Sequence, residues 1–176
     1  MRFRRIASLA AVVAVLVVPQ SVSAGSRGGV TRVSQLGSAL VVQVNAFRVA
    51  HGLVPLRVSP FLHAAANAHS IQMARRGYFS HDSANGSPFS SRIATYYPAR
   101  GFRSWTVGEN LLWASPDVGA ARALKLWLSS PPHRANLMNP RWREIGLSAV
   151  HANRAPGVYR NAPTTIVTAD FGARTR

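Results

Sequence analysis

Only five of the 176 residues carry an acidic side chain, Asp82, Glu109, Asp117, Glu144 and Asp170, and six are histidine. These are the groups that can hold a divalent ion or move a proton. With no cysteine anywhere, thiolate ligands, thiol nucleophiles and disulfides are excluded. Among the acids Glu109 stands apart, because Gly108-Glu109-Asn110 sits between apolar Val107 and Leu111-Leu112-Trp113. A carboxylate in such surroundings is costly unless a cation, a hydrogen-bond donor or a metal partners it. Asp117 reads as a charge at a helix start and Asp82 as a turn residue. Glu144 and Asp170, at the start and end of expected strands, read as ion-pair partners for some of the many arginines.

The histidines divide in the same way. His51 ends an expected helix, His63 lies within one and His151 alternates along a strand, so all three read as structural or exposed. His69 shares an apolar stripe with Leu62 and Met73 and reads as a satisfied core histidine. His81 follows a helix-ending Gly77-Tyr78-Phe79-Ser80, and His133 follows Pro131-Pro132 at a helix opening. From both places a side chain can point into a cleft. Either imidazole can also join a buried carboxylate in a hydrogen-bonded cluster that ties a loop to a helix, with no ion involved. No His-Glu-x-x-His helix and no Gly-x-Ser-x-Gly turn is present to favour a particular hydrolase.

The elements that must position these residues follow from hydrophobic spacing. Leu36, Leu40, Val44 and Phe47 mark one face of a helix over 35–50 that stops at Gly52. Ser59-Pro60 opens a second, with Leu62, Ala66, His69 and Met73 on one stripe and Arg75-Arg76-Gly77 at its end. The same Ser-Pro opening predicts helices after Ser87-Pro88, Ser115-Pro116 and Ser130-Pro131; the residues between do not align, so there is no repeat. The period then changes from helical to alternating. Ile145 to Ala152 and the β-branched stretch Thr164 to Phe171 read as strands joined by a loop over 153–163, and Val107 to Ala114 as a strand or extended link. Helices first and strands last is the order of an α+β domain whose helices cover an antiparallel sheet.

At the N-terminus, Arg2, Arg4 and Arg5 precede an almost purely apolar run from Ile6 to Val18 and then Val22-Ser23-Ala24, the pattern of a secretory signal peptide cleaved near Ala24. The run falls short of the roughly 20 residues needed to span a bilayer. A Gly-rich lead-in is expected over 25–34, and the folded domain over 35–174. After residue 24 the chain carries 18 basic against 5 acidic residues, net +13. Such a protein attracts anionic lipid and cell-wall polymer in a salt-sensitive way. The arginines are scattered, without a basic stripe and interleaved aromatics, which argues against dedicated nucleic-acid binding.

Five segments, taken in order, carry a family resemblance: Gly77-Tyr78-Phe79-Ser80-His81, Val107-Gly108-Glu109-Asn110-Leu111, Trp127 to Met138 with Ser129-Ser130-Pro131-Pro132-His133-Arg134-Ala135-Asn136, Glu144-Ile145-Gly146, and Asp170-Phe171-Gly172. Together they closely resemble the bacterial branch of the CAP superfamily (cysteine-rich secretory proteins, antigen 5, pathogenesis-related 1), also called the SCP domain. The match runs from about residue 38 to 173.

The resemblance implies a three-layer α-β-α sandwich with a central, mainly antiparallel sheet, and a secreted protein, extracellular or associated with the cell envelope. It also implies a cleft bearing two histidines and two acids that in some members holds a divalent ion such as zinc. On the matching positions His81 and His133 are the histidines and Glu109 the first acid, with Asn110, Ser130, Arg134 and Asn136 as cleft or supporting residues. The second acid falls on Ser130, which removes a carboxylate and weakens any two-acid mechanism and any metal site. The function implied is a binding or interaction protein whose ligand is a lipid or cell-wall component. A metal-dependent hydrolase of peptides, esters or wall polymer, with Glu109 as its catalytic acid or base, is the alternative.

Overall fold

A computed structural model describes residues 29–176, so the signal-peptide expectation lies outside the described residues. The chain runs β1 (Val30–Arg32), α1 (Ser34–Ala50), β2 (Arg57–Val58), α2 (Pro60–Arg76), α3 (Phe89–Tyr96), β3 (Ser104–Ala114), α4 (Ala120–Ser129), α5 (Pro131–Leu137), β4 (Glu144–Ala155), a single 3₁₀ turn (Gly157–Tyr159) and β5 (Ala162–Thr175). The sheet order is β1-β4-β5-β3, antiparallel throughout, with the short β2 adding parallel to β4. Among the described residues no helix is long and apolar enough to cross a membrane.

Strand alternation builds the layers. Along β4 and β5, Ile145, Leu147, Ala149, Val167, Ala169 and Phe171 face one way and join Leu40 and Val44 of α1, Trp127 of α4 and Leu137 of α5 in the larger core. The intervening residues face α2 and α3: Val150 and Ile166 pack with Met73. Ser70 donates to Thr168 at 2.8 Å and Ser148 to Asn67 at 3.3 Å on that face. At Gly146 a Cβ would stand 2.0 Å from the backbone of Leu62 and His63, so only glycine lets α2 lie this close to the sheet. The α-β-α layering follows directly from the two apolar faces of one sheet.

Five expectations need correction. Val30–Arg32, read as part of a flexible lead-in, pairs with β4 as an edge strand. Of the Ser-Pro openings, Ser59 caps α2 through a bond from Leu62 N, and Ser130 stands at the cap of α5 without a side-chain bond. Ser87 does not cap α3, which begins one residue after Pro88, and α4 begins only at Ala120, behind Gly119. The Ser115 hydroxyl instead donates to Pro163 O at 2.7 Å, and Asp117 precedes the helix rather than sitting in its first turn. A cap motif is a local preference of order 1 kcal/mol, and a tertiary hydrogen bond competes with it on equal terms. Finally, the loop over 153–163 is shorter than expected, because β4 and β5 extend into it around the 3₁₀ turn.

Candidate functional site

β3 is the last strand of the sheet, and one residue of alternation sends its side chains to opposite layers. Glu109 turns towards α2 and α3 and Asn110 towards α5. The two layers part at this edge to leave an open cleft of about 620 Å³, whose lining includes His81, Phe89, Glu109, Asn110, His133 and Asn136.

On the α2 side the loop after the helix is pinned before it reaches His81. His69, fully buried, donates from Nε2 to Ser80 O at 2.9 Å, and the Tyr159 hydroxyl donates to Tyr78 O at 2.7 Å. Tyr78 in turn donates to Gln72 Oε1, which also accepts from Ala84 N. The satisfied core histidine expected at position 69 therefore holds the loop that presents His81. Burial drives the His69 pKa down to about 4, with Glu109 pulling it up and Arg92 pushing it further down.

His81 Nδ1 donates to Glu109 Oε1 at 2.8 Å; the imidazole is half exposed and the carboxylate wholly buried. The other carboxylate oxygen accepts from Arg92 of α3. The Arg92 guanidinium, also largely buried, donates as well to His81 O at 3.1 Å and Ser83 Oγ at 3.3 Å. Beneath this pair lies Asp170, directly opposite Glu109 in the β3–β5 register. It is completely buried, and neither of its oxygens has a hydrogen-bond donor among the described residues. Burial first, then the charge of Glu109, pushes its carboxyl well above the usual range. The expectation that Asp170 pairs with an arginine is overturned: neither oxygen has a donor, and its cross-strand neighbour is another acid. Glu144 does pair as expected, with Arg57 at 3.7 Å and Arg174 at 4.0 Å, and accepts from the Tyr97 hydroxyl.

On the α5 side, Asn110 and Asn136 brace the cleft. Asn110 Nδ2 donates to His133 O at 3.1 Å and Asn136 Nδ2 to Asn110 Oδ1 at 3.0 Å; Trp142 Nε1 donates to Asn136 O at 2.9 Å. A Cβ on Gly108 would lie 2.7 Å from the Trp142 ring and 2.8 Å from Asn136 Oδ1, so glycine is required for α5 to close on β3. Burial, then His81, lowers the His133 pKa, which favours the neutral imidazole. Ser130 and Arg134 do not line the cleft. Ser130 sits at the cap of α5, and Arg134, one helical step of 100° round from His133, borders a separate shallow depression with Leu128 and Pro131.

The sequence pattern of the CAP family, described as the cysteine-rich secretory protein family, matches residues 41–171. The chain belongs to the CAP family. A relative, the uncharacterized protein YkwD of Bacillus subtilis, is 33% identical over 121 residues, covering 68% of this chain and 44% of YkwD, so the chain spans less than half the length of that relative. An extracellular SCP-domain protein of Bacillus anthracis superposes with a TM-score of 0.61 at 26% identity, covering 81% of this chain and 41% of that one. An outer surface protein of Borrelia burgdorferi superposes with a TM-score of 0.68 at 21% identity, covering 84% and 99% of the two chains, and shows the shared fold.

The donor set fits the divalent ion implied by the family poorly. Glu109 is the only carboxylate of the expected ligand set, and both of its oxygens are engaged, one by an imidazole and one by a guanidinium. Among the described residues no three His, Asp or Glu side chains stand where one ion could be held. Sequence reasoning required a partner for Glu109 and left its identity open between cation, donor and metal. With 21 basic residues to choose from, nothing in the chain order singled out Arg92. Asp170 was equally hidden, since cross-strand register is not written in either strand alone.

Proposed function

We propose that this chain is an exported CAP-domain binding protein that acts at or beyond the cell envelope and receives a polar ligand, a wall component or lipid headgroup, in the cleft between α3, β3 and α5. The observation that carries the reading is the His81–Glu109–Arg92 cluster opening onto solvent through His81, faced by His133 across the cleft. A buried, fully paired carboxylate orients the His81 ring and leaves its Nε2 free for a ligand. Export is supported by the N-terminal sequence pattern and by the extracellular B. anthracis and outer-surface B. burgdorferi relatives. The net charge of +13 after residue 24 adds a non-specific attraction to anionic polymers.

Retention on purified cell wall and on anionic vesicles, measured against salt for the wild type, His81→Ala and His133→Ala, tests the proposal. Charge attraction falls steeply with salt in all three. A salt-resistant fraction that both alanine variants lose is the expected result; identical curves for all three proteins refute a cleft ligand.

A second reading rests on the same dyad. An imidazole held through Nδ1 by a carboxylate is the geometry of a general base, so a hydrolase acting on peptides, esters or wall polymer would use His81 Nε2 to activate water. Hydrolysis lost in His81→Ala and in Glu109→Gln would favour it over simple binding; equal rates in all three proteins would end it.

A further inference from the structure

The poor fit of a metal ion has a definite structural origin, and it points beyond the binding role proposed above. A divalent ion is held by ligands that bring negative charge, and in this cleft the anionic ligand is Glu109. Its side chain is wholly buried and its Oε2 is occupied by the guanidinium of Arg92, whose own side chain is only 9% exposed. Arg92 is fixed there by three further features: its helix α3 packs against α2 through buried Ile93, and it donates to His81 O and to Ser83 Oγ. Its positive charge is permanent, since a guanidinium is not deprotonated in proteins. Asp170, the one further acid nearby, is sealed beneath the pair and does not line the cleft. Asp82 lines the cleft but is exposed, hydrogen-bonded through its backbone N to Ser80 Oγ, and makes no ion pair among the described residues. His69, the remaining titratable group on this side, spends its Nε2 on Ser80 O. With Ser130 standing where the resemblance expects a second acid, Glu109 is the one carboxylate paired with the guanidinium among the described residues.

We infer that Arg92 is the resident cation of the cleft, neutralising Glu109 from within the fold, so that the protein works without a metal ion and loss of this one side chain raises the affinity of the cleft for one. The donor uncovered would be Glu109 Oε2. A unit positive charge within a few ångströms of the ion, at protein-like dielectric, changes affinity by more than tenfold.

The test uses the exported chain, residues 25–176, titrated with zinc by calorimetry and with cobalt by visible absorption. Arg92→Met keeps the length and apolar stem of the side chain without its charge. The wild type is expected to bind zinc at least about tenfold more weakly than Arg92→Met, and the gain should vanish in the Arg92→Met/Glu109→Gln double variant. Arg92→Lys, which keeps the charge, should stay weak. Equal affinities for wild type and Arg92→Met overturn the inference. If the methionine variant does not fold, the wild type alone decides through its imidazole NMR signals. His81 and His133 unmoved by equimolar zinc support the inference, whereas saturating shifts that Glu109→Gln abolishes refute it. The wall-retention result stands or falls separately, because none of these measurements involves the polymer.

Discussion

Acidification should weaken this protein at one identifiable ring. His69 is fully buried, its Nε2 donating to Ser80 O at 2.9 Å, and its pKa is lowered from an ordinary 6.5 to about 4. In the unfolded chain the ring takes its second proton near pH 6.5, whereas in the folded protein it resists until about pH 4. The neutral ring therefore contributes stability that is fully present above pH 6.5 and is lost as the pH falls towards 4. A depression of about 2.5 units corresponds to about 3 kcal/mol across that window, or roughly 10 °C in Tm for a domain of this size. Because His69 holds the residue preceding His81, the same proton loosens the loop that presents His81 to Glu109. Urea denaturation followed by tryptophan fluorescence, from pH 4.5 to 7.5, isolates this ring by comparing the wild type with His69→Gln, whose side-chain donor does not titrate. The wild type should be the more stable of the two at pH 7.5, and its advantage should shrink on acidification. Parallel curves for the two proteins would refute the assignment of the acid sensitivity to this ring.

The opposite sign is expected at Asp170, whose carboxyl is raised by burial and by Glu109. A raised acid is most stabilising below its unfolded pKa and is lost as pH rises, so Asp170→Asn should gain on the wild type above about pH 4, by about 1.4 kcal/mol per pH unit until the folded pKa is reached; the difference between their urea curves across that range measures it, and a flat difference contradicts it. Gly108→Ala should cost about 1–3 kcal/mol in thermal or urea unfolding, because its Cβ meets Trp142 at 2.7 Å and Asn136 at 2.8 Å. It should also displace His133, seen as a shifted His133 NMR signal; a neutral substitution would show that α5 is not closed on β3 in solution.

Much of the architecture was legible because it depends on short-range pattern. The spacing of Leu36, Leu40 and Val44 and the Ser59-Pro60 opening with its Gly77 stop identified α1 and α2, and alternation over 145–152 identified β4. Five motifs in order were sufficient to name the family and its α-β-α layering. Capping signals failed at Ser87, whose backbone joins a local turn with Ser83 and Asn85, and at Ser115, where a local preference met a tertiary contact of comparable strength.

For the site, the chain alone declared that Glu109 needs a partner and that His81 and His133 sit where side chains can reach a cleft. Which partner Glu109 takes was decided only by folding: α3 carries Arg92 to one oxygen while the loop after α2 carries His81 to the other. Likewise, Asp170 became the neighbour of Glu109 through the β3–β5 register, a pairing between residues 61 positions apart in sequence. Residue type sets what a side chain can do, and hydrophobic period sets which face it takes. Which charges meet is a property of the packed layers, since an electrostatic partner is chosen by distance in space and by the loss of water around it.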